Sequence, residues 1–268
     1  MSADTTHSPA PAVGGASHDL PVATALPGRP GVPFGRTFQA ELRKMVDTRA
    51  GRWMVIVMAG LTAVILAAFV IWGPAEDATF ANLLQFATIP LAMLLPIIGI
   101  MAATAEWSQR TGLVTFTLEP RRGRVVLAKA LGALALGLVV LAVAFAAAAV
   151  ATLAGDGAWD LDAAAGGGLT LALLIYVLQG VAFGLLFLNT PVAIVLVLVL
   201  PTAWSIVTQV FSSLADVGAW LDLDQVTRPL FEGEMAGQDW AQLGTGVGVW
   251  VLLPFAIGTY RVLTREVK

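Results

Sequence analysis

Among the side chains that most often carry out catalysis, this sequence offers no cysteine, two histidines (His7 and His18) and three lysines (Lys44, Lys129 and Lys268). Both histidines lie in a Pro/Ser/Thr-rich N-terminal stretch, away from every apolar run. A zinc site draws on Cys, His or carboxylate ligands, and a nucleophilic hydroxyl needs a base beside it. Neither set is at hand, and no lysine follows a glycine-rich phosphate loop. The sequence predicts no enzyme activity, no ATP site of its own, no metal and no cofactor. The polar groups that do fall inside apolar sequence are hydroxyls and amides. Thr202, Ser205, Gln209 and Ser212 share one helical face, and Gln85 and Thr88 interrupt a second apolar run ahead of Pro90 and Pro96. Gln85, Thr88, Thr202, Ser205 and Gln209 are therefore candidates to line a wettable path. Hydrogen bonding between helices, at roughly 0.6–2 kcal/mol each, accounts for the hydroxyls equally well.

The elements that position these groups are set by where charge is missing. Asp, Glu, Lys and Arg are absent from 53–75, 78–105, 130–155, 163–215 and 240–260, in a chain that is 57% hydrophobic and 12% charged. About 20 apolar residues cross a bilayer as a helix. The runs are continuous rather than alternating, which excludes a membrane barrel and leaves helices that satisfy their own backbone. The 163–215 run is too long for one helix and breaks at Asn189-Thr190-Pro191. The expected fold is all-α and polytopic, with spans at about 53–73, 83–105, 127–153, 166–188, 192–213 and 241–261. Thirteen Lys and Arg flank the spans on one side against Arg228 alone on the other. The positive-inside tendency then puts both termini in the cytoplasm of a cell whose plasma membrane holds the protein. A five-span layout with a re-entrant element would leave the basic tail outside.

Residues 1–33 hold six of the fourteen prolines and read as a disordered cytoplasmic tail, followed by a membrane domain over 34–268. With no apolar core ahead of a cleavage site, the first span is expected to act as an uncleaved anchor. From Phe34 the pattern changes. Phe34, Phe38, Leu42 and Met45 recur at helical spacing, while Arg36, Glu41, Arg43, Lys44 and Asp47 fill the rest of the wheel. That describes an N-terminal amphipathic helix in the membrane interface. The segment from Glu106 to Arg124 is the longest basic loop between spans. In it, Leu113, Phe116 and Leu118 form an apolar ridge rimmed by Arg110, Arg121 and Arg122. Such a ridge suits docking onto a protein partner, or else a helix lying on lipid. The paired small residues Gly180/Gly184 and Gly132/Gly137 point to close helix packing within the bundle.

Together, Phe38-Gln-Ala-Glu-Leu-Arg-Lys-Met-Val-Asp-Thr-Arg49, the loop Glu106 with Arg110-Thr-Gly and Pro120-Arg-Arg-Gly-Arg-Val-Val-Leu-Ala-Lys129, and the six-span layout resemble the ABC type-2 permease family. These are the membrane subunits of ATP-binding-cassette exporters. The resemblance covers about residues 34–265 and implies a separate ATPase dimer docking on Glu106, Arg110, Leu113, Phe116, Arg121 and Arg122. It implies that Phe38, Glu41, Arg43 and Lys44 belong to an interfacial connecting helix, and that a second permease subunit, identical or paralogous, completes the path. A membrane scaffold or sensor that binds a cytoplasmic partner, and an ion-coupled carrier, are the rival expectations. The spans show no mid-membrane charge of the kind carriers use.

Overall fold

The charge-free runs fold into six long helices, four of which begin at a side-chain cap. The computed structural model describes residues 32–109 and 111–265, so the expected N-terminal tail through residue 31 and Arg110 lie outside the described residues. In order the helices are α1 (Phe34–Asp47), α2 (Arg49–Trp72), α3 (Phe80–Ser108), α4 (Gly112–Leu118) and α5 (Arg122–Ala154). They continue with α6 (Ala163–Phe187), α7 (Thr190–Val210), α8 (Ala215–Leu221), α9 (Leu223–Glu232) and α10 (Asp239–Thr264). No strand occurs among the described residues. Helices α2, α3, α5, α6, α7 and α10 are each long and apolar enough to cross a membrane. The protein is an all-α, multi-pass membrane protein.

Caps explain where the helices start. Thr48, Thr79, Asp162 and Asn189 each accept a backbone N–H from the first turn of α2, α3, α6 and α7. The break expected at Asn189-Thr190-Pro191 has a specific cause. Leu188 ends α6 in the left-handed conformation, Asn189 caps the next helix, and Pro191 occupies its first turn. Several helices begin before the apolar run does: α2 at Arg49 and α5 at Arg122. A charge marks where a helix leaves the hydrocarbon, not where its hydrogen bonds stop. With 33 residues, α5 is about 50 Å long, against a bilayer core of ~30 Å.

The bundle is centred on α3 and α6, whose apolar stretches are mostly buried, while α2 and α7 are largely exposed at its periphery. Glycine makes the central contact possible. A Cβ at Gly180 would collide with the Pro96 carbonyl, one at Gly99 with the Val177 carbonyl, and one at Gly184 would press on Ile100 and Ala103. The Gly180/Gly184 pair thus serves internal packing. The last span departs from regular winding over Gly248–Leu252, a π-helical turn. Within it, Trp250 Nε1 donates to the Leu221 carbonyl at 2.6 Å, tying α10 to α8.

Candidate functional site

The ends of the helices on the arginine-rich side converge on a cluster of four charges, three of them buried and the fourth, Lys44, partly exposed. Lys129 lies on the inward face of α5, in line with Val125, Val126, Gly132 and Ala133. On α1 the buried line is Thr37, Glu41 and Met45, and on α3 it ends at Ala102, Ala103 and Glu106. Gly132 leaves room for the Met45 side chain, so α1 lies close against α5. Lys129 Nζ is 2.8 Å from Glu41 Oε2, 2.7 Å from the Glu106 carboxylate and 2.9 Å from the Ala102 carbonyl. All three ammonium hydrogens therefore have acceptors. Lys44 closes the set at 2.6 Å from Glu41 Oε1 and 3.2 Å from Glu106 Oε1.

Exposure is 3% for Lys129, 3% for Glu41 and 2% for Glu106. Two carboxylates and two ammonium groups sum to zero, the condition under which buried charge is tolerated. Burial opposes the charge on Lys44, yet the Glu41 and Glu106 carboxylates outweigh it and hold Lys44 above the ordinary lysine value. One ammonium thus joins three helices: α1, α3 and α5.

Below this joint, α4 stands on an aromatic base. Trp107 and Phe116 rings lie 6.4 Å apart, with the Arg265 guanidinium 5.2 Å over Trp107 and the Arg122 guanidinium 4.8 Å over Phe116. Arg122 also donates to the Val262 carbonyl at 2.9 Å and to the Arg265 carbonyl at 2.7 Å, fastening the end of α10. Arg124 reaches Glu119 at 3.3 Å and the Val32 carbonyl at 2.9 Å. Away from this base, α4 shows Leu113, Val114 and Leu118, exposed by 59%, 60% and 71%, and Val114 and Leu118 also line the cavity that α4 forms with α1 and α3.

The residues of the expected docking set fall in different surroundings. Leu113 and Arg121 are at the surface. Phe116 is turned inward onto Trp107, and Val114 takes its place on the ridge. Arg122 is engaged within the chain, and Glu106 is sealed by two lysines, so neither is presented to a partner. On α1, Phe38 is half-buried and Arg43 exposed, whereas Glu41, expected on the polar side of the wheel, faces the bundle. Lys129, counted from sequence only as a flanking charge, holds the joint. Its signal was a lysine on the inward stripe of a helix that is otherwise apolar there.

The five expected path residues are not brought together. Thr88 donates to the Gln85 carbonyl at 2.6 Å and Thr202 to the Leu198 carbonyl at 2.7 Å, both within their own helices. Gln209 donates to Ser205 Oγ at 2.9 Å, and Gln85, Thr202 and Gln209 are exposed. Where α3 and α7 do share a hydrogen bond, it is Thr104 Oγ1 with Thr190 Oγ1 at 2.6 Å, near the basic end. A cavity of about 730 Å³ opens there among α1, α3, α4 and the start of α2, with Thr190 on its wall. Among the described residues, no group of His, Cys, Asp and Glu is arranged to hold a metal ion.

The chain matches no protein-family model and no curated protein.

Proposed function

We propose that the protein is the membrane-spanning permease subunit of an ATP-driven exporter, worked by a separate ATP-binding-cassette ATPase dimer on the basic side. The observation that carries this reading is the exposed Leu113, Val114 and Leu118 ridge on α4, mounted on a joint that locks α1, α3 and α5 together. Exposed apolar side chains beside a basic rim fit a protein partner. A push on α4 would reach α3 through the Trp107–Phe116 base, and α1 through Glu106, Lys129 and Glu41. In this reading the basic side is cytoplasmic, the membrane is the plasma membrane, and the chain supplies no catalytic residue.

The exposed flanks of α2 and α7 suit a second permease subunit, identical or paralogous. The exposed amides and hydroxyls on the outer part of α7 would then face a shared path rather than lipid, where an uncovered polar group is costly.

An ion-coupled carrier is the second reading, and the buried Lys129, Glu41 and Glu106 are the observation in its favour. The cluster is internally neutral, and all of the Lys129 ammonium hydrogens are used, which suits a tie better than an exchanging ion site.

The test is co-expression with the ATPase of a neighbouring reading frame, then co-purification and ATP turnover. Leu113→Asp with Leu118→Asp is expected to abolish co-purification while leaving the melting temperature of the lone chain unchanged. Undiminished co-purification would remove α4 as the docking element. Gradient-driven flux through the lone chain in vesicles would favour the carrier.

A further inference from the structure

The cavity at the basic end has a chemical polarity that docking on α4 does not require. Its inner wall is apolar, with Met54, Ile98, Met101 and Leu136. Ile98 lies ten residues before the end of α3 and Leu136 fourteen residues into α5, so the deepest part of this wall is about 15–20 Å inward from the helix ends. Its polar rim comes from α1 and α4 and includes Arg36, Lys44 and Glu119.

The charges on the wall do not cancel. Glu41 and Glu106 are neutralised by Lys129 and Lys44, and Glu119 lies 3.3 Å from Arg124. Arg36 is exposed and has no carboxylate within ion-pair distance among the described residues. Among the described residues, the space thus joins an apolar interior to one guanidinium without a carboxylate partner. Arginine is suited to carboxylate and phosphate oxygens because its planar fork can donate two parallel hydrogen bonds. A volume of about 730 Å³ falls within the ordinary range for sites that enclose a small organic ligand.

We infer that this cavity binds a single-chain amphiphile with an anionic head, a carboxylate or a phosphate monoester. The head sits on Arg36, and the chain runs inward past Met101 toward Met54 and Ile98. Such binding belongs to the lone chain and needs no ATPase; because the cavity shares Val114 and Leu118 with the proposed docking ridge, it is read on the lone chain, where docking plays no part.

The test uses the full chain in phosphatidylcholine nanodiscs, with radiolabelled hexadecyl phosphate as probe and hexadecyltrimethylammonium and hexadecanol as competitors. Saturable binding is expected, with the phosphate preferred to the cation by about tenfold or more, as one charge-assisted hydrogen bond would give. Arg36→Glu should reverse that preference. Met101→Trp, which fills the inner wall, should weaken the phosphate and the alcohol alike. Arg36 is exposed, so its replacement leaves the packing intact, and the Met101 variant reads the same cavity independently. Equal affinity for anion and cation would overturn the inference, as would unchanged binding in both variants. Competition by lysophosphatidic acid, a single-chain phosphate monoester derived from membrane lipid, would identify a lipid as the source of the anionic head, and competition by alkyl phosphates or fatty acids alone would identify a free amphiphile. Either result supports the assigned ligand chemistry. Competition by the two-chain phosphodiester phosphatidylglycerol as strong as that by hexadecyl phosphate would overturn the single-chain monoester assignment.

Discussion

The two ends of the bundle are tied by different physics. At the basic end, α1, α3 and α5 meet on Lys129, whose ammonium is shared between two buried carboxylates. At the opposite end, α9 is fastened to α6 by hydrogen bonds that are largely neutral. Tyr176 Oη lies 3.0 Å from Thr227 Oγ1 and 3.3 Å from Asp224 Oδ1. Asp222, itself buried, caps α9 by accepting from the Asp224 and Gln225 backbone N–H groups at 3.1 and 3.4 Å. A joint built on buried charge adds little net stability when complete, because desolvation offsets attraction, and fails heavily when one member is removed. A joint built on caps and hydroxyls loses about 1 kcal/mol per contact. The basic end is therefore nearly all-or-none, and the acidic end yields by degrees.

The contrast is broken most sharply by Lys129→Met. It strands Glu41 and Glu106 with only the partly exposed Lys44 between them, and is expected to cost about 3–5 kcal/mol of stability in detergent. The triple change Glu41→Gln, Glu106→Gln, Lys129→Met should recover most of that loss. Equal damage in the single and triple variants would mean that packing volume, not charge, holds this end. Next in size is Gly51→Ala at the α1–α2 corner, where a Cβ would run into the Met45 carbonyl. A loss of about 1–3 kcal/mol is expected by thermal unfolding.

At the acidic end Asp222→Ala should cost only about 1 kcal/mol, the usual worth of a helix cap. Its loss is expected as a local rise in hydrogen exchange over 223–232 rather than as global unfolding. The smallest effect concerns pH. Burial, then the Asp222 charge, push the Asp224 carboxyl above the ordinary aspartate value of 3.8, partly offset by the Tyr176 hydroxyl. A folded value above the unfolded one gives stability that is complete below 3.8 and lost as pH rises through the folded value. Relative to an otherwise identical chain without this carboxyl, the melting temperature of the wild type should therefore fall slightly across that window on going up in pH. Asp224→Asn should flatten that slope, and an unchanged slope would assign it to another group.

Particular residues show how far sequence alone reaches. The absence of charge found all six long helices, because the cost of burying a charge in hydrocarbon is local to each residue. The break at Asn189 was equally local. The face of α1 was not. Phe34, Phe38, Leu42 and Met45 made the apolar stripe, yet the deepest residues are Thr37, Glu41 and Met45, of which Met45 alone belongs to it. A wheel ranks residues by polarity and cannot see that Lys129, 88 positions away, gives Glu41 a reason to turn inward. The ridge on α4 was legible except for Phe116, which lies under the Arg122 guanidinium. That pairing depends on the fold having brought the end of α10 alongside.

The π-helical turn at Gly248–Leu252 carries a consequence for the register of the last span. Closing a wider ring takes in one residue more than an α-turn does. Helix α10 thus contains a supernumerary residue, and its two halves are out of phase with each other. Winding the same residues as a regular α-helix, without the wide turn, would swing one half by about 100° relative to the other. Trp250 and Gly258 could then no longer meet the Leu221 carbonyl and the α6 backbone at the same time.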